Sequence, residues 1–272
     1  MTRTRQSRWW NRPRFDALEA LLLVLLASVV AAAWSVTRNA GAVRSGANAW
    51  ELAQLADTYG PAHHSRNAEE WIIRDFFQDR RNGVFLDVGA NHYQNESNTY
   101  FLEHQLGWTG IAVEPLVEFE ADYKRYRPGT RFRAFFASDA SNQRAHMFYL
   151  KENSLVTSAT KDFTAREGGA TPSEIEAPTI TLDDLLTLEK IDRVDFLSMD
   201  IELAEPKALA GFDLRRFSPQ LVCIEAHREV RQVLLNYFHD RGYVVIGKYL
   251  GADPLNLYFT PRTAGDHLPG AK

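Results

Sequence analysis

Val84-Phe85-Leu86-Asp87-Val88-Gly89-Ala90-Asn91 decides the fold. A short apolar run rich in β-branched and aromatic residues reads as a buried strand, and Gly89 marks a sharp turn at its carboxyl end. From this turn onward the chain alternates between helical and strand patterns. Asn98 to Leu106 places Tyr100, Phe101, Leu102 and Leu106 at helical spacing, closed by Gly107. Thr109 to Glu114 reads as a second strand, stopped by Pro115, which opens a helix from Val117 to Tyr126. Thr130 to Phe136 reads as a third strand and Arg144 to Lys151 as part of a hairpin or meander. Asn153 to Ala177 is read as a polar loop, punctuated by Gly168-Gly169 and Pro172.

Alternation then resumes. Thr181 caps a helix that begins Leu182-Asp183-Asp184-Leu185-Leu186, and Val194 to Ile201 is a strand. Glu205 to Leu209 is a short helix, Leu221 to Glu225 a strand, and Arg228 to Arg241 a helix ended by Gly242. Tyr243 to Gly247 and Leu255 to Phe259 are closing strands, joined by too few residues for a parallel crossover. The expected architecture is α/β: an open sheet of about seven strands, mostly parallel, its last strand antiparallel, with helices on both faces.

Of 272 residues, 45% are apolar and 24% charged, a globular composition. The one cysteine, Cys223, rules out an internal disulfide and a cysteine-cluster zinc site. Residues 1–38 carry six arginines against Asp16 and Glu19, a balance of +4, so with a net charge of −4 the remainder carries −8. So acidic a body is a poor partner for a phosphate backbone, and nucleic-acid binding is not expected.

Residues 1–17 form an arginine-rich leader before an apolar segment, 18–37, containing Leu21-Leu22-Leu23-Val24-Leu25-Leu26. The charge-free part, Ala20 to Thr37, would span about 27 Å as a helix, close to a bilayer core. A retained single-pass signal-anchor is the preferred reading. The rival is a cleaved signal peptide, for which Ala31-Ala32-Ala33 would supply the site. The arginine distribution places the N-terminus in the cytoplasm. Residues 38–66 read as a stalk, 67–262 as the α/β domain and 263–272 as a flexible tail.

In open parallel sheets, ligands bind beyond the carboxyl ends of the strands. Here nearly every such end bears a carboxylate: Asp87, Glu114, Asp139 beside Ser138, Asp200 with Glu202, and Glu225 followed by His227. The first turn has a single glycine where a dinucleotide turn needs G-x-G-x-x-G, which disfavours a pyrophosphate. Glu114 can accept two hydrogen bonds from a ribose diol. An acidic, phosphate-free site suits the sulfonium and adenosine of S-adenosylmethionine. Asp200, Glu202 and His227 are the candidate bases. Oxygen ligands would suit magnesium or manganese, but nothing in the spacing requires a metal.

Four stretches also resemble the FkbM-type methyltransferases. They are Phe85 to Asn91; Ser97 to Glu103 with Gly107-Trp108-Thr109-Gly110 and Val113-Glu114-Pro115; Thr181 to Leu186; and Asp195 to Glu202 with Glu205 and Leu209. The resemblance spans about 84–226. It implies a Rossmann-like, S-adenosylmethionine-dependent enzyme that commonly methylates a hydroxyl oxygen; the expected acceptor is a small molecule or glycan, offering a hydroxyl or carboxyl of a glycan, lipid-linked or secondary-metabolite substrate. It implies that Asp87, Gly89 and Asn91 hold the methionine portion, Glu114 the ribose, and that Ser138 and Asp139 lie near the adenine. Two positions depart from the family pattern: Leu203 stands where glycine is usual, and His92-Tyr93-Gln94 where Asp-Gly is common. Leu203 favours the alternative reading, a catalytically inactive membrane-anchored binding or adaptor protein that keeps the methyltransferase fold for recognition.

Overall fold

The computed structural model describes residues 49–150, 153–158, 165 and 172–263. The leader, the apolar segment 18–37, residues 38–48 and most of the C-terminal tail lie outside the described residues. Among the described residues no helix is long and apolar enough to cross a membrane.

Eleven strands are described: β1 (Val84–Val88), β2 (Thr109–Val113), β3 (Thr130–Arg133), β4 (Phe136–Ala137), β5 (Arg144–Leu150), β6 (Asn153–Ser158), β7 (Ser173–Ile180), β8 (Phe196–Met199), β9 (Leu221–Glu225), β10 (Tyr243–Val245) and β11 (Asn256–Pro261). Seven of them form one sheet in the order β10-β11-β9-β8-β1-β2-β3. Pairing from β9 through β3 is parallel, while β11 runs antiparallel to both β9 and β10. This is the expected Rossmann-like sheet with its last strand reversed.

The two-residue period of the strands sorts their side chains between two cores. Leu86, Val88, Leu197, Met199, Val222, Ile224, Leu257 and Phe259 enter one cluster, and Phe85, Phe196, Leu221, Cys223 and Tyr258 the other. The first core is covered by helices that begin at Leu182, Glu205, Leu214 and Arg231. The second lies under the helices Glu69–Phe77 and Tyr100–Leu106, with Trp71 and Phe77 packed in it and Phe76 against it. Residues 49–59 are also helical, and Leu52, Leu55, Ala56 and Tyr59 pack on this second core. The compact unit therefore starts at Trp50, within the stretch expected to be stalk.

Two expectations need correction. Thr130 to Phe136 is not one strand: the Phe135 amide bonds back to the Arg133 carbonyl at 3.0 Å, ending β3, and β4 leaves to pair with β7. Nor is 153–177 wholly loop. β6 and β7 join β5 and β4 in a second sheet of four strands, order β4-β7-β5-β6. The alternation Glu174-Ile175-Glu176-Ala177 is a half-buried strand pattern that the flanking prolines obscured.

Candidate active site

The first turn is built around a near collision. Gly89 has φ +83°, and a Cβ there would lie 1.8 Å from the carbonyl oxygen of Asp200. Only glycine lets the ends of β1 and β8 approach so closely. The Gly89 amide also bonds the Val113 carbonyl at 2.9 Å, so three adjacent strand ends are fixed together.

Asp87 is buried beneath this turn, and its Oδ2 accepts a 2.7 Å hydrogen bond from Thr99 Oγ1. Burial raises its carboxyl above the ordinary range, against hydrogen bonds from Thr99 and Ser198 and the charge of Arg127. Arg127 is itself fully buried. Its guanidinium pairs with Glu103 and donates to the Tyr93 carbonyl at 2.8 Å and to Thr99 Oγ1 at 3.1 Å. It thus holds both ends of the 93–99 segment. Glu114 accepts from the Leu116 amide at 3.0 Å and the Asn91 amide at 3.2 Å, and burial pushes it to about 7. Asn91, at φ 47°, takes the left-handed conformation that asparagine tolerates.

Beside this turn, at the end of β8, Asp200 is exposed, but into a recess walled by protein. That enclosure, then Glu225 and Glu202, lift its carboxyl well above the usual range. His227 Nε2 lies 3.0 Å from Glu202 Oε2 and 2.9 Å from Glu225 Oε2. Hydrogen bonds to the two carboxylates raise the imidazole to about 10, so the ring is a cation at neutral pH and holds them together. The three residues place one ligand atom each within 4.8 Å of one another, a spacing a divalent ion could use, but the imidazolium already supplies positive charge there. Glu205 is fully buried; its Oε1 accepts from the Ile201 amide at 3.1 Å and closes the turn, and burial brings it to about 7.

Asp87, Gly89, Asn91, Glu114, Asp200 and Glu202 all line one cavity at the carboxyl edge of the main sheet. In the sequence comparison, the Methyltransferase FkbM domain matches residues 87–245, more than half of the chain. The protein belongs to the FkbM methyltransferase family. No curated protein sequence matches the chain. Among solved structures, it is similar to a precorrin-6y C5,15-methyltransferase from Geobacter metallireducens GS-15, at 11% identity over 65% of this chain and 70% of that one, TM-score 0.36. It is similar also to the 1,6-didemethyltoxoflavin-N1-methyltransferase of Burkholderia thailandensis, whose structure holds S-adenosylhomocysteine, at 13% identity over 84% and 90% of the two chains, TM-score 0.37.

This FkbM methyltransferase departs from the sequence reading around β4. Ser138 and Asp139 are not on the cavity wall, which is formed there by Phe135, Phe136 and Ala137. The Ser138 amide is bonded to the Ile180 carbonyl at 2.9 Å, and exposed Asp139 faces Lys207 at 3.8 Å. His227 is behind the wall, reaching the cavity through Glu202 and Glu225. Sequence reasoning placed Glu225 at a strand end without giving it a role, and it missed Glu69, Asn98 and Asn256 on the wall and Arg127 beneath it. Leu203 has φ 78°, following Glu202 at φ 53°. The turn therefore keeps the left-handed shape for which glycine is suited, with leucine in place.

Proposed function

We propose that this FkbM methyltransferase uses S-adenosylmethionine to methylate a hydroxyl oxygen of a small-molecule or glycan acceptor. One observation carries the reading: the glycine turn with Asp87 and Glu114 opens into the same cavity as Asp200 and Glu225. The cavity fits the donor by its chemistry. A Cβ at Gly89 would obstruct the turn, and no phosphate-binding glycine motif is present. Asp87, Gly89 and Asn91 would hold the methionine part, and Glu114 retains acceptor capacity for a ribose diol beside its two backbone bonds. Phe135 and Phe136 supply an apolar wall for a base in place of Ser138 and Asp139.

When bound, S-adenosylmethionine supplies a methyl group made electrophilic by its sulfonium. The chain must align the acceptor oxygen and take its proton. Asp200 faces the cavity and, in the ionised form that a sulfonium bound beside it favours, is assigned the proton, while Glu202 orients the acceptor. His227 is a positioning residue: a ring protonated to about 10 is no base at neutral pH, and it holds Glu202 and Glu225 in place. The turn geometry at Leu203 supports a working site over a fold kept for recognition alone. We place the enzyme at a membrane through residues 18–37, with the N-terminus cytoplasmic.

Titration of S-adenosylmethionine and S-adenosylhomocysteine into the full-length chain tests the reading, with Asp87→Ala and Glu114→Ala as variants. Binding lost in both variants supports it. A folded chain that binds neither ligand sinks it.

A further inference from the structure

Thr99 sits where a threonine ordinarily caps a helix, and it does not cap. It immediately precedes the helix Tyr100–Leu106, a position from which a hydroxyl usually accepts from the second or third helical amide. Its side chain makes no such bond. The residue is fully buried, and its hydroxyl lies between two charged side chains instead. It accepts from Arg127 Nη2 at 3.1 Å and donates to Asp87 Oδ2 at 2.7 Å.

The guanidinium fixes the direction of this chain. Arginine has donors and no acceptor, so one lone pair of the Thr99 oxygen belongs to Arg127 and the single hydroxyl proton is left for Asp87. Asp87 Oδ2 is thereby an acceptor. A second hydroxyl repeats the arrangement from the neighbouring strand. Ser198 is the register partner of Asp87 across β1 and β8, is buried, and donates to the same carboxyl. Its own oxygen accepts from Asn98 Nδ2 at 3.1 Å. Two hydroxyls from two elements, each backed by a donor, converge on one carboxyl that lines the cavity.

Burial opposes the charge on Asp87, while these hydrogen bonds and Arg127 favour it. A carboxylate has about four lone-pair sites, so acceptor capacity remains for a ligand. Holding a carboxyl here costs desolvation, which a cationic donor in the cavity would offset. An ammonium group has that chemistry: it is compact, charged and carries three donors.

We infer that Thr99 and Ser198 are positioning residues: backed by Arg127 and Asn98, they hold the Asp87 carboxyl as the acceptor for the ammonium group of the methyl donor's amino-acid portion. The inference rests on the S-adenosylmethionine reading and deepens it.

The full-length chain is titrated with S-adenosylhomocysteine and with methylthioadenosine, which keeps the adenosine and thioether and lacks the amino-acid portion. Thr99→Val removes the hydroxyl at nearly constant shape, and Thr99→Ser keeps it. Thr99→Val should weaken S-adenosylhomocysteine by at least about tenfold, the loss of one hydrogen bond to a charged group, while methylthioadenosine binds as before. Thr99→Ser should bind both ligands as the unmodified chain does. In an Asp87→Asn background, Thr99→Val should cost S-adenosylhomocysteine little more, because its effect runs through the carboxyl. Equal losses for the two ligands, no loss for either, or additive losses in the double variant overturn the inference. If Thr99→Val does not fold, Ser198→Ala removes the second hydroxyl and is read against the same ligands by the same criteria. An unmodified chain that binds both ligands equally keeps the donor site and overturns this inference alone. One that binds neither sinks the donor reading and this inference with it.

Discussion

At the scale of single residues, the site depends on two backbone positions and one proton. Gly89→Ala would drive a methyl group into the Asp200 carbonyl and force an L-residue to φ +83°. The strand ends would have to separate, so we expect a loss of about 2–4 kcal/mol in stability and no measurable cofactor affinity. Denaturant unfolding and titration read the two effects separately. His227 makes a different prediction. Its pKa is raised from 6.5 to about 10, so its contribution to stability is complete below 6.5, falls progressively as pH rises from there, and is gone above about 10. NMR of the ring nitrogens should find an imidazolium at about pH 8, and Glu202→Gln should lower its pKa. A ring neutral at that pH in the unmodified protein would refute the assigned charge. Gly89 was legible as a tight turn because glycine at a strand end has one common physical reason. The cationic state of His227 was not legible, since it needs Glu202 and Glu225, on two different segments, to meet at one nitrogen.

At the scale of elements, the sequence spoke clearly wherever an apolar period ran without interruption. β1, β2, β8 and β9 are continuous hydrophobic runs because both faces of a parallel sheet are covered, and all four were located within a residue or two. β7 was missed. Its exposed glutamates and Pro178 are those of a polar, half-covered strand, and its partner β5 lies far along the chain. Arg127 was missed for a related reason: next to Pro128 it reads as a helix end. In the fold it is a fully buried clamp between the helix Tyr100–Leu106, the 93–99 segment and Asp87. Arg127→Met would leave Glu103, whose side chain is 7% exposed, facing only Gly129 and Thr130. Removing one partner of a buried pair costs about 3–5 kcal/mol. The double variant Arg127→Met with Glu103→Gln should recover part of that loss. Strictly additive costs in the unfolding series would show that the pair is not coupled.

At the scale of the whole molecule, a domain carrying excess negative charge gathers its carboxylates at one sheet edge, and burial pushes them toward the neutral form. Glu114 and Glu205 rise from 4.5 to about 7, and Asp87 and Asp200 rise as well. A folded-state pKa above the unfolded value means that the native state holds its proton longer. The ligand-free protein should therefore lose stability as pH rises from about 4.5 through 7, by up to about 1.4 kcal/mol per pH unit for each such group. A cation bound among these groups favours their ionised forms. The affinity for S-adenosylmethionine should rise between about pH 6 and pH 8, as Glu114 gives up its proton. S-adenosylhomocysteine lacks the sulfonium charge, and its affinity should rise less over the same range. Glu205→Gln separates the two effects, because Glu205 is buried away from the cavity lining. It should flatten the pH dependence of ligand-free stability while leaving the difference between the two ligands intact. Equal pH slopes for both ligands would mean that the carboxylates at the sheet edge do not sense the sulfonium, and the electrostatic account of donor binding would fall.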